Sequence, residues 1–241
     1  MQVLMEVDEH HWWYRGRRRV VRAELDRLPL PAGAAVLDAG CGSGRMLEEL
    51  AGYGSVSGIE LDEDAAELAA SRERGEVKTG RVEELPWPDS SFDLLTSLDV
   101  IEHTPDDSVA LTELRRVTKP GGWLLVTVPA YQTLFSLHDV ANHHYRRYNR
   151  ASLGRPARGA GWQVRRMTYF NSLLLAPAAA VRLAQRGRRI EEGYTPNVEL
   201  GPSWMNALLE QPLRAEARWI SRGRTLPAGL SLMALLQNPP P

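Results

Sequence analysis

Three glycines at alternate positions interrupt the chain directly after a short apolar run. Residues 36–45 read Val-Leu-Asp-Ala-Gly-Cys-Gly-Ser-Gly-Arg. An apolar run that breaks into glycine predicts a buried strand, then a tight turn, then a helix from Met46 to Leu50. Glycine permits positive φ and close approach of a ligand, and the first turn of a helix offers unpaired N–H groups. The stretch therefore predicts a nucleotide-type cradle in an α/β fold.

The spacing of the glycines does not fit a dinucleotide site. The fingerprint G-x-G-x-x-G needs a glycine where Arg45 stands, and Gly44 comes one residue too early. An acidic residue, Asp38, also precedes the turn. Its negative charge suits a ligand with a positive ammonium and sulfonium better than a ligand with a negative pyrophosphate. The spacing and the acid together point to S-adenosylmethionine.

Three stretches carry a resemblance to a known family. The pattern D-x-G-C-G-x-G from Asp38 to Gly44 resembles motif I of the class I S-adenosylmethionine-dependent methyltransferases. The segment from Gly80 to Asp93 is similar to one of their type 11 and type 12 small-molecule groups, and the run L-x-x-V-x-K-P-G-G from Leu114 to Gly122 is a second strong resemblance to the family. The resemblance implies a methyltransferase that uses S-adenosylmethionine and releases S-adenosylhomocysteine.

The resemblance also implies the fold and the cofactor contacts. We expect a Rossmann-like three-layer α/β/α sandwich whose mostly parallel sheet has an antiparallel last strand, with an N-terminal lid helix and a helical C-terminal insertion. Glu60 lies at the end of the second strand, where an acid can accept both ribose hydroxyls; Asp62 is the alternative. The predicted cofactor residues are Asp38, Gly40, Cys41, Gly42, Gly44, Glu60, Leu61, Val82, Glu83 and Leu98.

Length and composition fit one domain. A chain of 241 residues with 43% hydrophobic residues can bury a substantial core. We expect one methyltransferase domain over 1–241, with a lid segment at 1–30, a cofactor-binding half at 34–129 and a substrate-binding half at 130–241. The net charge of -1 gives no global field for a polyanion, so nucleic acid is not expected as a partner.

Cysteine content and hydropathy predict a cytoplasmic protein without a transmembrane segment. Cys41 is the only cysteine, so no intrachain disulfide can form. The N-terminus is too polar for a signal peptide, and the most apolar run, Ser172 to Ala184, is too short to span a bilayer. The predicted helix from Asn171 to Arg189, broken at Pro177, favours packing over a position on a membrane surface.

The rest of the chain predicts alternating strands and helices. We expect one N-terminal helix before Pro29, in which the arginines at 17, 18, 19 and 22 form a solvated face. Strands are predicted at 53–62, 94–98, 123–128, 162–170 and 230–236. Helices are predicted at 64–74, 108–117, 151–161 and 205–220, with a loop at 191–203.

Two segments are candidates for contact with an acceptor molecule. The first is the aromatic cluster Trp12, Trp13 and Tyr14. These side chains either cover the site and stack on a substrate, or only pack against the rest of the protein. Residues 129–150 are dense in aromatic and basic groups without a helical or strand period, which predicts a substrate loop at the carboxyl end of a strand. The predicted substrate residues are Trp12, Trp13, Tyr14, Tyr131, His138, Tyr145 and Arg146.

The same loop offers potential metal ligands and anion ligands. His138, Asp139, His143 and His144 match no specific zinc spacing, and no glutamate or cysteine joins them, so no metal is expected. Arg146 and Arg147 either clamp a carboxylate or phosphate or support the loop through salt bridges.

The residues that follow the strand at 94–98 give information on the class of substrate and on the catalytic base. An Asn/Asp-Pro-Pro-aromatic motif, typical of enzymes that methylate amino groups of nucleobases or glutamine, is absent there. Glu102-His103 instead resembles the "EH" signature of small-molecule methyltransferases. His103, His143 and His144 are therefore the candidate catalytic bases, the alternative for His103 being a hydrogen-bonded strand end.

Three functions remain open at this point. The first is methyl transfer to an O, N or C nucleophile of a natural-product, quinone-like or lipid-like molecule, because aromatic cover and a large loop suggest an enclosed, partly apolar site. The second uses S-adenosylmethionine in a reaction other than methyl transfer. The third is a non-catalytic module that binds the cofactor.

Overall fold

The computed structural model of the chain describes residues 2–184 and 201–240. Within these ranges seven strands form one sheet in the spatial order β3-β2-β1-β4-β5-β7-β6. The strands are β1 (Ala34–Ala39), β2 (Gly54–Glu60), β3 (Gly75–Thr79), β4 (Phe92–Leu98), β5 (Thr118–Pro129), β6 (Gln163–Phe170) and β7 (Ser231–Gln237).

Helices alternate with the strands along most of the chain. The α-helices of the described ranges are α1 (Gln2–His10), α2 (Trp12–Leu25), α3 (Arg45–Leu50), α4 (Glu63–Ala70), α5 (Asp107–Val117), α6 (Leu137–Ala141), α7 (Arg150–Gly159), α8 (Leu175–Ala184) and α9 (Ser203–Ser221). Single 3₁₀ turns lie at Ile101–His103 and Gln132–Leu134.

The sheet is mostly parallel with one reversed strand. β1 pairs in parallel with β2 and β4, and β4 in parallel with β5. The last strand, β7, lies between β5 and β6 and runs antiparallel to both. This topology confirms the predicted Rossmann-like sheet.

Two apolar clusters cover the two faces of the sheet, which makes the fold three-layered. Because side chains alternate along a strand, neighbours such as Val36 and Leu37 enter opposite clusters. α5 and α7 pack on one face through Leu111, Leu114 and Leu153. α2, α3 and α9 cover the other face, where the two helices α2 and α9 also pack on each other.

The carboxyl ends of β1, β2 and β4 meet at one edge of the sheet. Asp38 of β1 lies opposite Gly58 of β2 and Thr96 of β4. The glycine turn after β1 and the segment after Leu98 therefore lie side by side. This edge is where open α/β sheets bind ligands.

Several elements differ from the prediction for physical reasons. β3 was not predicted because Gly75–Thr79 is a short, mostly polar edge strand without apolar alternation. The N-terminal segment forms two helices, because His11 adopts an extended backbone and its Nδ1 accepts a hydrogen bond from Trp13 N, at 3.3 Å. The loop at 129–150 contains α6, which begins at a capping box formed by Ser136 and Asp139.

The C-terminal helices follow the prediction in part. Pro177 does not break a helix, since it lies in the first turn of α8, where proline's missing N–H needs no partner. The part of the predicted helix beyond 184 and the predicted loop up to 200 lie outside the described residues. No helix of the described ranges is long and apolar enough to span a membrane.

Candidate active site

The glycine turn is shaped by two glycines and open at the third. Gly40, Gly42 and Gly44 all have positive φ, at 85°, 54° and 77°. A Cβ on Gly40 would lie 2.4 Å from Cγ2 of Val100, and one on Gly44 would lie 2.7 Å from Cα of Ala69. A Cβ on Gly42 would meet nothing within 4 Å. Gly42 therefore faces free space, whereas the other two keep neighbouring chain segments in contact.

Asp38 is buried at the end of β1. Its carboxylate accepts a hydrogen bond from the Thr96 hydroxyl, with an O–O distance of 2.6 Å. Burial raises the pKa of Asp38 to about 7 despite this bond. An ammonium group near Asp38 would stabilise the ionised carboxylate.

Glu60 and Asp62, at the end of β2, accept hydrogen bonds from different parts of the backbone. The Glu60 carboxylate accepts hydrogen bonds from Gly42 N at 2.8 Å and Leu61 N at 2.8 Å, so it lies against the glycine turn. The Asp62 side chain accepts a bond from Ala65 N at 2.9 Å and caps α4. Of the two acids considered for the ribose, the geometry favours Glu60.

A cavity of about 410 Å³, here named the glycine-loop cavity, opens beside these groups. Its walls come from the glycine turn, the end of β2, the segment after β3, the end of β4 and the N-terminal helices. Of the predicted cofactor residues, Asp38, Gly40, Cys41, Gly42, Glu60, Leu61, Val82, Glu83 and Leu98 line it. Gly44 does not line it and belongs to the helix start behind it.

The N-terminal helices cover this cavity through ion pairs. Arg17 contacts Asp99, with a nitrogen–oxygen distance of 2.5 Å, and both residues line the cavity. Asp8 of α1 pairs with Arg18 at 3.1 Å and also contacts the Ser43 hydroxyl in the glycine turn. The arginines were predicted as a solvated face, but Arg18 is buried. The structure thus ties α1 and α2 to the site.

A second cavity of about 800 Å³, here named the tryptophan cavity, adjoins the first. Aromatic and aliphatic groups of α2 and α8 form much of its wall, including Trp12, Trp13 and Val181. The two cavities share five lining residues: Tyr14, Arg17, Leu98, Asp99 and His103. The two cavities therefore adjoin along this common wall.

The predicted substrate residues divide into two groups. Trp12, Trp13, Tyr14 and His138 line the tryptophan cavity. The other three, Tyr131, Tyr145 and Arg146, line neither cavity.

Each of these three residues has another contact. The Tyr131 ring stacks on Tyr169, with ring centroids 5.2 Å apart. The Tyr145 side chain is exposed. Arg146 bonds to the Pro105 carbonyl and lies 3.4 Å from an Asp107 oxygen. The structure therefore places Arg146 as a support of the loop, not as a clamp in a cavity.

Two of the three candidate bases lie in contact, His103 in the common wall and His144 in the tryptophan cavity. The His103 and His144 rings are perpendicular, with centroids 4.6 Å apart. Burial, reinforced by the neighbouring His144, lowers the pKa of His103 to about 4, so its imidazole is neutral at pH 7. His143 is exposed and lines neither cavity.

His144 is oriented by a buried acid. Its Nδ1 lies 3.0 Å from an Asp139 oxygen, and Arg147 Nε donates to the same oxygen at 2.7 Å. Burial alone would raise the pKa of Asp139, but His144 and Arg147 hold that pKa below its ordinary value. An ionised Asp139 accepts the Nδ1 proton of His144 and leaves Nε2 free to act.

Glu102, between these groups, is fully buried. Burial, together with the nearby Asp99 carboxylate, raises its pKa well above the ordinary value for glutamate. Its neighbour His103 was singled out from the sequence, and so was Glu102 as part of the same pair.

Other residues of the site were missed. Asp8, Arg17 and Asp99 carry no local motif, and only the fold brings them to the cavities. Arg147 was considered from the sequence, and its pair with Asp139 matches the alternative in which it supports the loop through a salt bridge.

Comparisons with known proteins agree with this geometry. Residues 37–126 match the family described as "Methyltransferase domain". A probable S-adenosylmethionine-dependent methyltransferase of Mycolicibacterium smegmatis is 34% identical over 160 residues, which are 65% of this chain and 61% of that protein. This chain thus spans about three fifths of the length of that relative.

Further similarities extend the match. A ubiquinone biosynthesis O-methyltransferase of Thiobacillus denitrificans is 30% identical over 188 residues, 66% of this chain and 81% of that protein. The crystal structure of the [4+2]-cyclase SpnF superposes with a TM-score of 0.63 at 21% identity, covering 95% of this chain and 83% of that one.

The region from 37 to 126 that matches the family includes most of the residues that line the glycine-loop cavity. The family's cofactor, S-adenosylmethionine, suits an open glycine turn flanked by two acids. The chain therefore belongs to the class I S-adenosylmethionine-dependent methyltransferases.

Proposed function

We propose that this protein transfers the methyl group of S-adenosylmethionine to a nucleophile, first of all an oxygen, of an apolar ring-containing small molecule. The observation that carries the proposal is the common wall between the glycine-loop cavity and the tryptophan cavity. One cavity suits the cofactor and the other a separate acceptor. Transfer between two bound molecules requires this adjacency.

The residues of the glycine-loop cavity fit S-adenosylmethionine. The free space at Gly42 admits a ligand against the backbone, and Asp38 can pair with the ammonium of the methionine part. Glu60 can exchange its bonds with backbone N–H groups for bonds with ribose hydroxyls. When bound, the cofactor supplies a methyl group that its positive sulfur activates.

The tryptophan cavity fits an acceptor with an aromatic ring. At about 800 Å³ it is large enough for a drug-sized molecule, and tryptophan rings offer flat apolar faces for stacking. A relative named as a ubiquinone biosynthesis O-methyltransferase supports phenols and hydroquinones as the first class to test. Lipid-like and natural-product acceptors belong to the same chemical range.

The chain's own residues would hold, enclose and deprotonate the acceptor. Arg17 and Asp99 fix α2 over the wall where the two molecules meet and help to exclude water. His144, oriented by Asp139, and the neutral His103 are the imidazoles closest to that wall. Either side chain can take part in removing a hydroxyl proton.

Calorimetry of the purified chain tests the cofactor assignment first. S-adenosylmethionine and S-adenosylhomocysteine should bind and NAD should not. A Gly42→Arg variant should lose both, because its side chain would fill the open turn. Binding of NAD alone would contradict the proposal.

Product analysis then tests the reaction. The chain is incubated with S-adenosylmethionine and a panel of phenols, hydroquinones, amines and carbon acids, and each mixture is analysed by mass spectrometry. Stoichiometric S-adenosylhomocysteine and an acceptor heavier by one methylene unit are the expected products. A transformed acceptor without S-adenosylhomocysteine would favour a reaction other than methyl transfer, and tight cofactor binding without any product would favour a binding module.

A further inference from the structure

Three potential metal ligands converge in the tryptophan cavity, and one of them, His103, also belongs to the common wall of the two cavities. Glu102, His103 and His144 each offer one ligand atom, and these atoms all lie within 4.8 Å of one another. Two ligands of one zinc ion, each about 2.1 Å from it, lie up to about 4.2 Å apart. Small side-chain movements would therefore bring all three groups onto a single ion.

The fold holds this cluster together from two distant parts of the chain. Glu102 and His103 belong to the 3₁₀ turn after β4, whereas His144 follows α6. Tyr145 N donates to the Glu102 carbonyl at 2.8 Å, which joins the two backbones beside the cluster. The juxtaposition is thus a property of the backbone and not of one flexible side chain.

The complete burial of Glu102 without a hydrogen-bond partner in the described part of the chain is a second, independent observation that points to a ligand. Its side chain has no solvent exposure, and neither carboxylate oxygen has a hydrogen-bond partner within residues 2–184 and 201–240. A buried carboxylate without a partner is costly, and such groups are normally paired or bound to a metal. The two guanidiniums that act on Glu102 are engaged elsewhere, Arg17 by Asp99 and Arg147 by Asp139 and the Ala130 carbonyl.

His144 has the arrangement that metal-binding imidazoles usually have. Asp139 holds its Nδ1, so the lone pair of Nε2 is available to an ion. A carboxylate on the far nitrogen fixes the tautomer and the ring orientation. Asp139 is itself fixed by Arg147 and by the Ser136 N–H at 2.8 Å.

We propose that Glu102, His103 and His144 bind a divalent transition-metal ion, of which zinc is the first to test. Two imidazoles and one carboxylate are a ligand set of catalytic zinc sites, which keep a further position open. All three ligands line the tryptophan cavity, so the open position faces the proposed acceptor. The prediction from sequence considered loop residues alone, whereas the structure adds Glu102 and His103 from the 3₁₀ turn after β4.

The ion's role in the reaction rests on the proposed function, but its binding does not. An acceptor hydroxyl on the open position would lose its proton to water more easily, because the ion stabilises the oxyanion. The new O–CH₃ bond then forms as the S–CH₃ bond breaks, and the bonding electron pair remains on sulfur. The neutral ether product is a weak ligand and departs.

Metal binding is measured directly on the full chain. The protein is stripped with a chelator and titrated with zinc chloride by calorimetry, and cobalt(II) is added separately to record its visible absorption. We expect one ion per chain. Glu102→Gln and His144→Ala should each weaken zinc binding by at least about tenfold. His143→Asn, which changes the exposed neighbouring imidazole, should keep the wild-type affinity for zinc.

The outcomes separate this proposal from the proposed function. Binding of S-adenosylhomocysteine by each variant shows that it is folded. Absence of zinc and cobalt binding in the wild type, or unchanged affinity in Glu102→Gln, would overturn the metal site. Full methyl transfer by the stripped protein would overturn the ion's role in the reaction. Zinc bound as expected with no acceptor methylated would support the metal site and contradict the proposed function instead.

Discussion

Asp38 shows how a single buried acid can link cofactor binding to pH. It lies at the end of a central strand, where the Thr96 hydroxyl only partly offsets the loss of hydration. Burial raises its pKa to about 7, so the ligand-free protein holds Asp38 partly protonated at neutral pH. A positively charged ligand group would favour the ionised form.

The first prediction concerns the pH dependence of stability. The unfolded chain releases the Asp38 proton near pH 3.8, whereas the folded chain retains it up to about pH 7. Between these values the folded state binds more protons, so this residue lowers the free energy of unfolding as pH rises, by up to about 4 kcal/mol in total. Asp38→Asn should remove that decline, as measured by urea unfolding from pH 4 to pH 8. Parallel curves for the two proteins would contradict the assignment.

The second prediction separates two glycines of the same turn. Gly42→Ala adds a methyl group in free space inside the glycine-loop cavity, so it should weaken S-adenosylmethionine binding with a stability loss of about 1 kcal/mol from positive φ. Gly44→Ala drives its Cβ against the backbone of Ala69, 2.7 Å away, so it should lose more stability. Thermal unfolding and calorimetry on both variants measure the difference. Equal stability losses would show that the turn adapts as a whole.

At the scale of elements, α1 and α2 act as the cover of the site. Asp8 links α1 to α2 through Arg18 and to the glycine turn through Ser43. α2 is held in turn by the pair of Arg17 with Asp99 and by its packing on α9. The cover thus has a strong attachment at α2 and a smaller polar one at α1.

The third prediction addresses the polar attachment of α1. Asp8→Ala should speed the release of S-adenosylmethionine by at least about fivefold, because its pair with Arg18 is mostly buried and the change leaves a buried arginine without this partner. The melting temperature should fall as well, because an uncompensated buried charge destabilises the folded chain. Stopped-flow release of the cofactor is the measurement, with Glu9→Ala, an exposed neighbour, as the control. Equal rates in the two variants would assign no role to Asp8.

The elements also show what the sequence can and cannot predict. Asp38 and the three glycines were predicted because one strand and its turn bring them together locally, and Glu60 because it ends the next strand. The roles of Arg17 and Asp99 were missed, because an arginine on a helix looks like a solvated residue until the fold sets it beside an acid. Likewise, Glu102 and His144 come from different segments, and no spacing rule relates them. Tyr145 and Arg146 fit a substrate loop by composition, but backbone direction places them away from the cavities.

At the scale of the whole molecule, two adjoining cavities form the candidate site. The glycine-loop cavity is built on the parallel half of the sheet, and residues of α1 and α2 close it. The tryptophan cavity is assembled from α2, the loop after β5, α8 and the start of β7. Fold similarity does not identify the acceptor, which we assign to the tryptophan cavity as a proposal.

The fourth prediction tests this assignment with two tryptophans. Trp12 lines the tryptophan cavity and not the glycine-loop cavity, so Trp12→Ala should raise KM for the acceptor and leave the affinity for S-adenosylmethionine unchanged. Stacking with an aromatic ring contributes about 1 kcal/mol beyond area burial, so a rise of fivefold or more is expected, at about 1.4 kcal/mol per tenfold. Trp204→Ala removes an exposed tryptophan that lines neither cavity and is the matched control. Steady-state kinetics with each substrate varied in turn gives both constants, and an equal loss of cofactor affinity in Trp12→Ala would show that the two cavities act as one site.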